Sequence, residues 1–74
     1  MKRYFYFAAK LIKKGVEGVA KGMFETTEGY FDFVDAADMV ARQEGVDIKD
    51  VVITFWVETN SVMYGKFRRV TDGD

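Results

Sequence analysis

Between residues 3 and 12 the chain reads RYFYFAAKLI, and its side chains sort cleanly at a period of two. Phe5, Phe7, Ala9 and Leu11 fall on one side of an extended strand, and Tyr4, Tyr6, Ala8 and Lys10 on the other. The following letters compete with this pattern. Over residues 7–24, Ala8, Leu11, Ile12, Val16, Val19, Ala20 and Met23 also form a stripe at helical spacing, with Lys10, Lys13, Lys14, Glu17 and Lys21 opposite. That is the pattern of a cationic helix lying on a membrane. Gly15, Gly18 and Gly22 decide against it, since each costs about 1 kcal/mol against alanine in a helix interior. The aromatic lead-in also favours a strand. A hairpin is therefore expected, with strands over residues 3–12 and 18–27 and a turn in KKGVEG.

From residue 32 the period changes. Asp32 is an expected N-cap, and Phe33, Ala36, Ala37 and Val40 recur at helical spacing as a buried stripe. Gly45 provides a stop, so a helix is expected over residues 33–44. A β-branched and aromatic run, VVITFWVE, then predicts a third strand over residues 50–58. Strict alternation places Val51, Ile53, Phe55 and Val57 in the core, with Thr54 and Trp56 facing away. Residues 61–69 fit either a short helix, with Met63, Phe67 and the adjoining Val70 at helical spacing and Asn60 or Ser61 as cap, or a fourth strand in which Val62 and Tyr64 alternate; residues 71–74 are expected to fray. The expected fold is a single α+β domain in two layers: β-β-α-β order, an antiparallel sheet with the first strand central, one helix on one face, and a C-terminal element.

The stretch GYFDFVDAADMVARQEGVDIKDVVITFWVE, preceded by an aromatic strand, resembles small uncharacterised bacterial proteins of similar length, of gut-bacterial or mobile-element type. The likeness covers residues 1–58 loosely. It implies the hairpin–helix–strand order and no activity, so no functional residue carries over.

Composition narrows the chemistry. Seventy-four residues leave room for one small core, and there is no cysteine or histidine to supply a disulfide, a thiolate or an imidazole. Ser61 is the single serine, so the usual nucleophile–base pairs are missing and no enzymatic activity is expected. The acids Glu28, Asp32, Asp35 and Asp38 could gather around a hard cation, but acidic residues collect at a helix N-terminus for electrostatic reasons alone. No metal or cofactor is expected. GVEGVAKG lacks the spacing and context of a phosphate loop.

Charge is uneven along the chain. Residues 1–24 hold six basic residues and one acidic, residues 25–60 two basic and nine acidic, and the remainder nets +1. No apolar run approaches the roughly 20 residues that span a bilayer. The Met1-Lys2-Arg3 start resembles a signal peptide only superficially, because Lys10 interrupts the apolar run. A cytoplasmic location without membrane association is expected.

Attention therefore falls on the sheet face away from the helix, where Tyr4, Tyr6 and Trp56 are expected side by side, flanked by Lys2, Lys10 and Thr54 and extended by Val19 or Met23, with Arg3 and Lys10 orienting a partner. An aromatic patch on a small domain marks a contact surface unless something covers it. Three occupants fit. The C-terminal segment could fold back with Met63, Tyr64 and Phe67; a protein partner or a second copy, making a homodimer, could dock on the rings; or single-stranded nucleic acid could stack there while Lys2, Arg3 and Lys10 meet phosphates. The acidic middle of the chain weighs against nucleic acid. An interaction or self-associating accessory protein is the expected function, with single-stranded nucleic-acid binding as the alternative.

Overall fold

The computed structural model describes the backbone of residues 1–71 and the side chains of residues 1–67. Strands β1 (Arg3–Lys13) and β2 (Val16–Thr26) form the hairpin, helix α1 (Phe33–Glu44) follows, and strand β3 (Val51–Thr59) and helix α2 (Ser61–Thr71) complete the chain. The sheet is antiparallel with order β2-β1-β3, so β1 is central as expected.

The hairpin is tighter than KKGVEG predicts. Lys13 pairs with Val16, leaving Lys14 and Gly15 as a two-residue turn at φ 53° and 76°. Two positive φ values match the right-handed twist of the flanking strands. Glycine takes this conformation freely, whereas a lysine there is held at a cost of roughly 1 kcal/mol. Asparagine tolerates it better, so Lys14→Asn should stabilise the hairpin by about 0.5–1 kcal/mol, read as a higher urea midpoint with an unchanged slope.

Phe5, Phe7, Ala9 and Leu11 of β1 are buried on the face toward α1, as the alternation predicts. Opposite them on β2 stand Phe24, Gly22, Ala20 and Gly18, so the large Phe7 and Leu11 of the central strand each meet a glycine on its neighbour. Gly22 is needed for this fit: a Cβ there would stand 2.8 Å from Phe7 Cζ.

Helix α1 has the expected bounds and caps. The Asp32 carboxylate accepts from the Val34 and Asp35 amides at 3.0 and 3.1 Å, satisfying two donors that the first turn leaves open. Gly45 ends the helix at φ 72°, and its amide and that of Val46 both donate to the Ala41 carbonyl.

The buried stripe is Ala36, Ala37, Val40 and Ala41, and Phe33 is not part of it; that ring is 60% exposed. The core aromatic is instead Phe31, the residue before the N-cap. Its ring centroid lies 5.5, 5.9 and 5.4 Å from those of Phe5, Phe7 and Phe24, and 5.1 Å from Trp56 in a stacked arrangement. The buried side of α1 is mostly alanine, and Phe31 supplies the bulk that the helix lacks.

The C-terminal element is a helix. Asn60 caps α2 by accepting the Met63 amide on its side chain, at 3.0 Å. Expected fraying of residues 71–74 falls on the last residue of α2 and on 72–74, which lie outside the described residues.

Candidate interaction surface

Strand β3 decides the layout of both faces. It pairs with β1 through Leu11↔Val51, Lys10↔Val52 and Ala9↔Ile53, then resumes at Ala8↔Phe55 and Phe7↔Trp56. Thr54 is the extra residue of a bulge, and its hydroxyl donates to the Ala8 carbonyl at 3.3 Å. One inserted residue reverses the facing of everything after it. Val51 and Ile53 face the helix as expected, but beyond Thr54 it is Trp56 that turns inward and Phe55 and Val57 that turn outward.

The expected trio of Tyr4, Tyr6 and Trp56 is therefore not assembled. Trp56 stacks on Phe31 and meets the edge of Phe5 at 5.9 Å on the helix side, while remaining 50% exposed at the rim. Tyr4 and Tyr6 stay on the outer face, where α2 packs over them. Tyr64 lies 5.0 Å from Tyr4, and Phe67 lies 6.0 Å from Tyr6. Met23 is buried on the same side of β2. Of the three occupants considered for this face, the C-terminal segment takes its tyrosine end, through Tyr64 and Phe67; Met63 stays half exposed.

The two basic residues also separate. Lys10 is exposed on the outer face, as expected. Arg3 falls on the helix side, donating to the Gly29 carbonyl at 2.7 Å with its Nε 3.7 Å from Glu58. It ties the loop before α1 to the end of β3. On the other face, Lys2 donates to the Glu25 carboxylate at 3.1 Å, and that bond together with the carboxylate's charge raises the lysine above its ordinary value. A raised lysine contributes stability that is fully present below its ordinary value of 10.5 and is lost as pH rises through the folded value, so the Lys2 charge is kept at neutrality.

What remains open is the neighbourhood of β3. Nothing among the described residues pairs with its second edge. On the helix side an apolar cavity of about 470 Å³ runs along that edge, lined by Phe33, Val34, Ala37, Ile48, Ile53 and Trp56. On the outer face Val52, Phe55 and Val57 are 60%, 52% and 46% exposed, with Phe55 touching the edge of Tyr6 at 6.4 Å. Both faces of one strand thus carry uncovered apolar surface.

The acidic residues are occupied differently. Asp32 caps α1 and Asp38 pairs with Arg42 at 2.9 Å, while Asp35 and Glu28 line a shallow polar depression beside β2. Among the described residues no helix is long and apolar enough to cross a membrane, and no group of three or more potential ligands could hold a metal ion.

Compared with family models, curated proteins and solved structures, the chain matches none. The surface has to be interpreted from its own chemistry.

One signal in the sequence could have located Trp56. Adjacent aromatics, Phe55-Trp56, cannot share a face of a regular strand, so one of them had to lie outside the core. Strict alternation selects Phe55 for the core, and the bulge at Thr54 reverses that choice.

Proposed function

We propose that this chain is a non-enzymatic, cytoplasmic protein-interaction module whose contact surface is β3 and the cavity beside it. The observation that carries this reading is the coincidence of an unpaired strand edge with exposed apolar residues on both of its faces. Either feature alone is common on small proteins. Together they offer main-chain hydrogen bonding for an added strand and pockets for its side chains, the recurring means by which sheets bind extended chains. Phe33, Phe55 and Trp56 serve as aromatic anchors, the residue type that dominates such contacts. Tyr4 and Tyr6 support the surface from below α2, and Arg3 orders its far end. A cysteine-free chain makes no demand on an oxidising compartment, which supports the cytoplasmic assignment.

Amide hydrogen exchange tests the reading. Protein contacts, whether with self or another chain, should slow exchange along the free edge of β3 as protein concentration rises, with little change in β2. Random single-stranded oligonucleotide at low salt should leave Trp56 fluorescence unchanged. Strong quenching that weakens with added salt would favour nucleic acid instead.

A further inference from the structure

We propose that the occupant of the β3 edge is a second copy of this chain: the two Val51–Thr59 strands pair antiparallel about a two-fold axis, forming one continuous six-stranded sheet. The inference rests on the interaction reading above and names its partner.

Three observations support self-pairing. The first is the contrast between the two sheet edges. Strand β2 carries Glu17, Lys21 and Glu25 along its length, and charges of this kind blunt an edge against pairing. Strand β3 carries no charge from Val51 to Val57, and its single acid, Glu58, stands at one end. An antiparallel partner sends the two Glu58 residues to opposite ends of the interface, where each keeps Arg3 of its own chain beside it, 3.7 Å away. Parallel pairing would bring them together. Strand β3 is thus the neutral, branched and aromatic edge that its own symmetry mate fits without opposing charges.

The second observation is how the faces match. Antiparallel edge strands in a continuous sheet are related by an axis perpendicular to that sheet, so inner face joins inner face and outer joins outer. Both α1 helices then lie on one side, and the Phe33–Val34–Trp56 cavities of the two copies face each other across the axis. On the opposite side, the outward Phe55 and Val57 of one copy share a face with those of the other. Helix α2 packs against β1 and β2, so it leaves this approach clear.

The third is area. Phe33, Val34, Val52, Phe55, Trp56 and Val57 are each between 46% and 60% exposed. With about 200 Å² for a whole aromatic side chain and less for valine, they offer on the order of 500 Å² of apolar surface. A standard interface takes roughly 800 Å² from each partner, and the strand backbone and Ile48 supply the remainder.

The absence of cysteine makes the test direct. In a two-fold antiparallel pair, one position near the middle of β3 faces its own copy at a spacing a disulfide can close. Single cysteines introduced in turn at Thr54, Phe55, Trp56 and Val57 should give a covalent dimer under mild oxidation, with one position far ahead of the others. A cysteine at Val19, which is 68% exposed on β2, should not.

The unmodified chain should sediment as a dimer whose dissociation constant rises at least tenfold in Phe55→Lys, because the new charges oppose each other near the axis. Val57→Lys provides a second variant that leaves the Phe55–Tyr6 contact in place. Far-UV circular dichroism verifies that each remains folded. A strict monomer up to millimolar concentration, equal crosslinking at Val19, or a dimer indifferent to both lysines would overturn self-pairing. A monomer whose β3 amides are protected by a peptide of another sequence would likewise overturn it, while leaving the interaction reading standing.

Discussion

Phe31→Ala should leave the protein close to its unfolding threshold, whereas Phe33→Ala, two residues later, should change stability little. Phe31 is 6% exposed and its ring meets those of Phe5, Phe7, Phe24 and Trp56. Truncating such a side chain removes its transfer free energy and leaves a cavity, at a cost of about 3–5 kcal/mol. A chain of 74 residues has roughly 4–11 kcal/mol of stability in total, so the loss is a large share of what exists. No neighbour can fill the gap, because the helix above it presents Ala36 and Ala37. Phe33 is 60% exposed, and removing an exposed ring away from the core costs within about 0.5 kcal/mol. Urea unfolding of both variants, followed by far-UV circular dichroism at a protein concentration low enough to keep the chain monomeric, checks the ranking. Trp56 fluorescence should also change in folded Phe31→Ala, since the indole loses its stacking partner.

That ranking opposes the one the helical spacing implies, and the reason is physical. Spacing within α1 correctly marks Ala36, Ala37 and Val40, but Phe33, the first residue of the helix, is 60% exposed. The residue that reaches the core is the one preceding the cap. An apolar residue placed there, packing back on the first turns of its helix, is a recognised device for fixing the entry of the chain. Phe31-Asp32 carries that signature, which the helical stripe running on from Phe33 masks.

Other parts of the fold were legible for equally specific reasons. Strand β1 alternates without interruption, so its buried face could be read directly as Phe5, Phe7, Ala9 and Leu11. Asp32 and Gly45 bracket α1 because each performs a backbone task that few residues do well. The bulge at Thr54 has no such marker. Threonine is a good strand former, and its hydroxyl satisfies the Ala8 carbonyl only because the register has already slipped.

That one residue relocated the candidate surface. Without the bulge Trp56 would join Tyr4 and Tyr6; with it, Trp56 lines a cavity under α1, and Phe55 and Val57 are left exposed outside. Coverage of the tyrosines by α2 was one of three options the sequence kept open. Rings at Tyr64 and Phe67 favour it, since both lie on the side of α2 that meets the sheet.

The sharpest steric demand in the sheet lies at Gly22, and substitution there should destabilise where the same change at Gly18 does not. Both glycines sit on β2 facing α1, opposite Phe7 and Leu11. At Gly22 a Cβ would be 2.8 Å from Cζ and 3.0 Å from Cε1 of Phe7, closer than carbon atoms rest. The ring cannot swing away, because Phe7 is 1% exposed and packs against Phe31 at 5.9 Å. Overpacking of this kind costs about 1–3 kcal/mol, and the roughly 0.5–1 kcal/mol that alanine gains over glycine in a strand offsets only part of it. Gly22→Ala should therefore lose about 1–2 kcal/mol, and Gly22→Val more, since its second branch enters the same volume. Nothing stands within 4 Å of a Cβ at Gly18, and its backbone is not in the left-handed region. Gly18→Ala should be neutral or stabilising by up to about 1 kcal/mol. A Gly22→Ala chain as stable as the unmodified protein would mean that Phe7 has room to move, and with it the aromatic cluster that places Trp56 at the rim. The comparison is made by urea midpoints at equal protein concentration, because self-pairing through β3 would otherwise shift both.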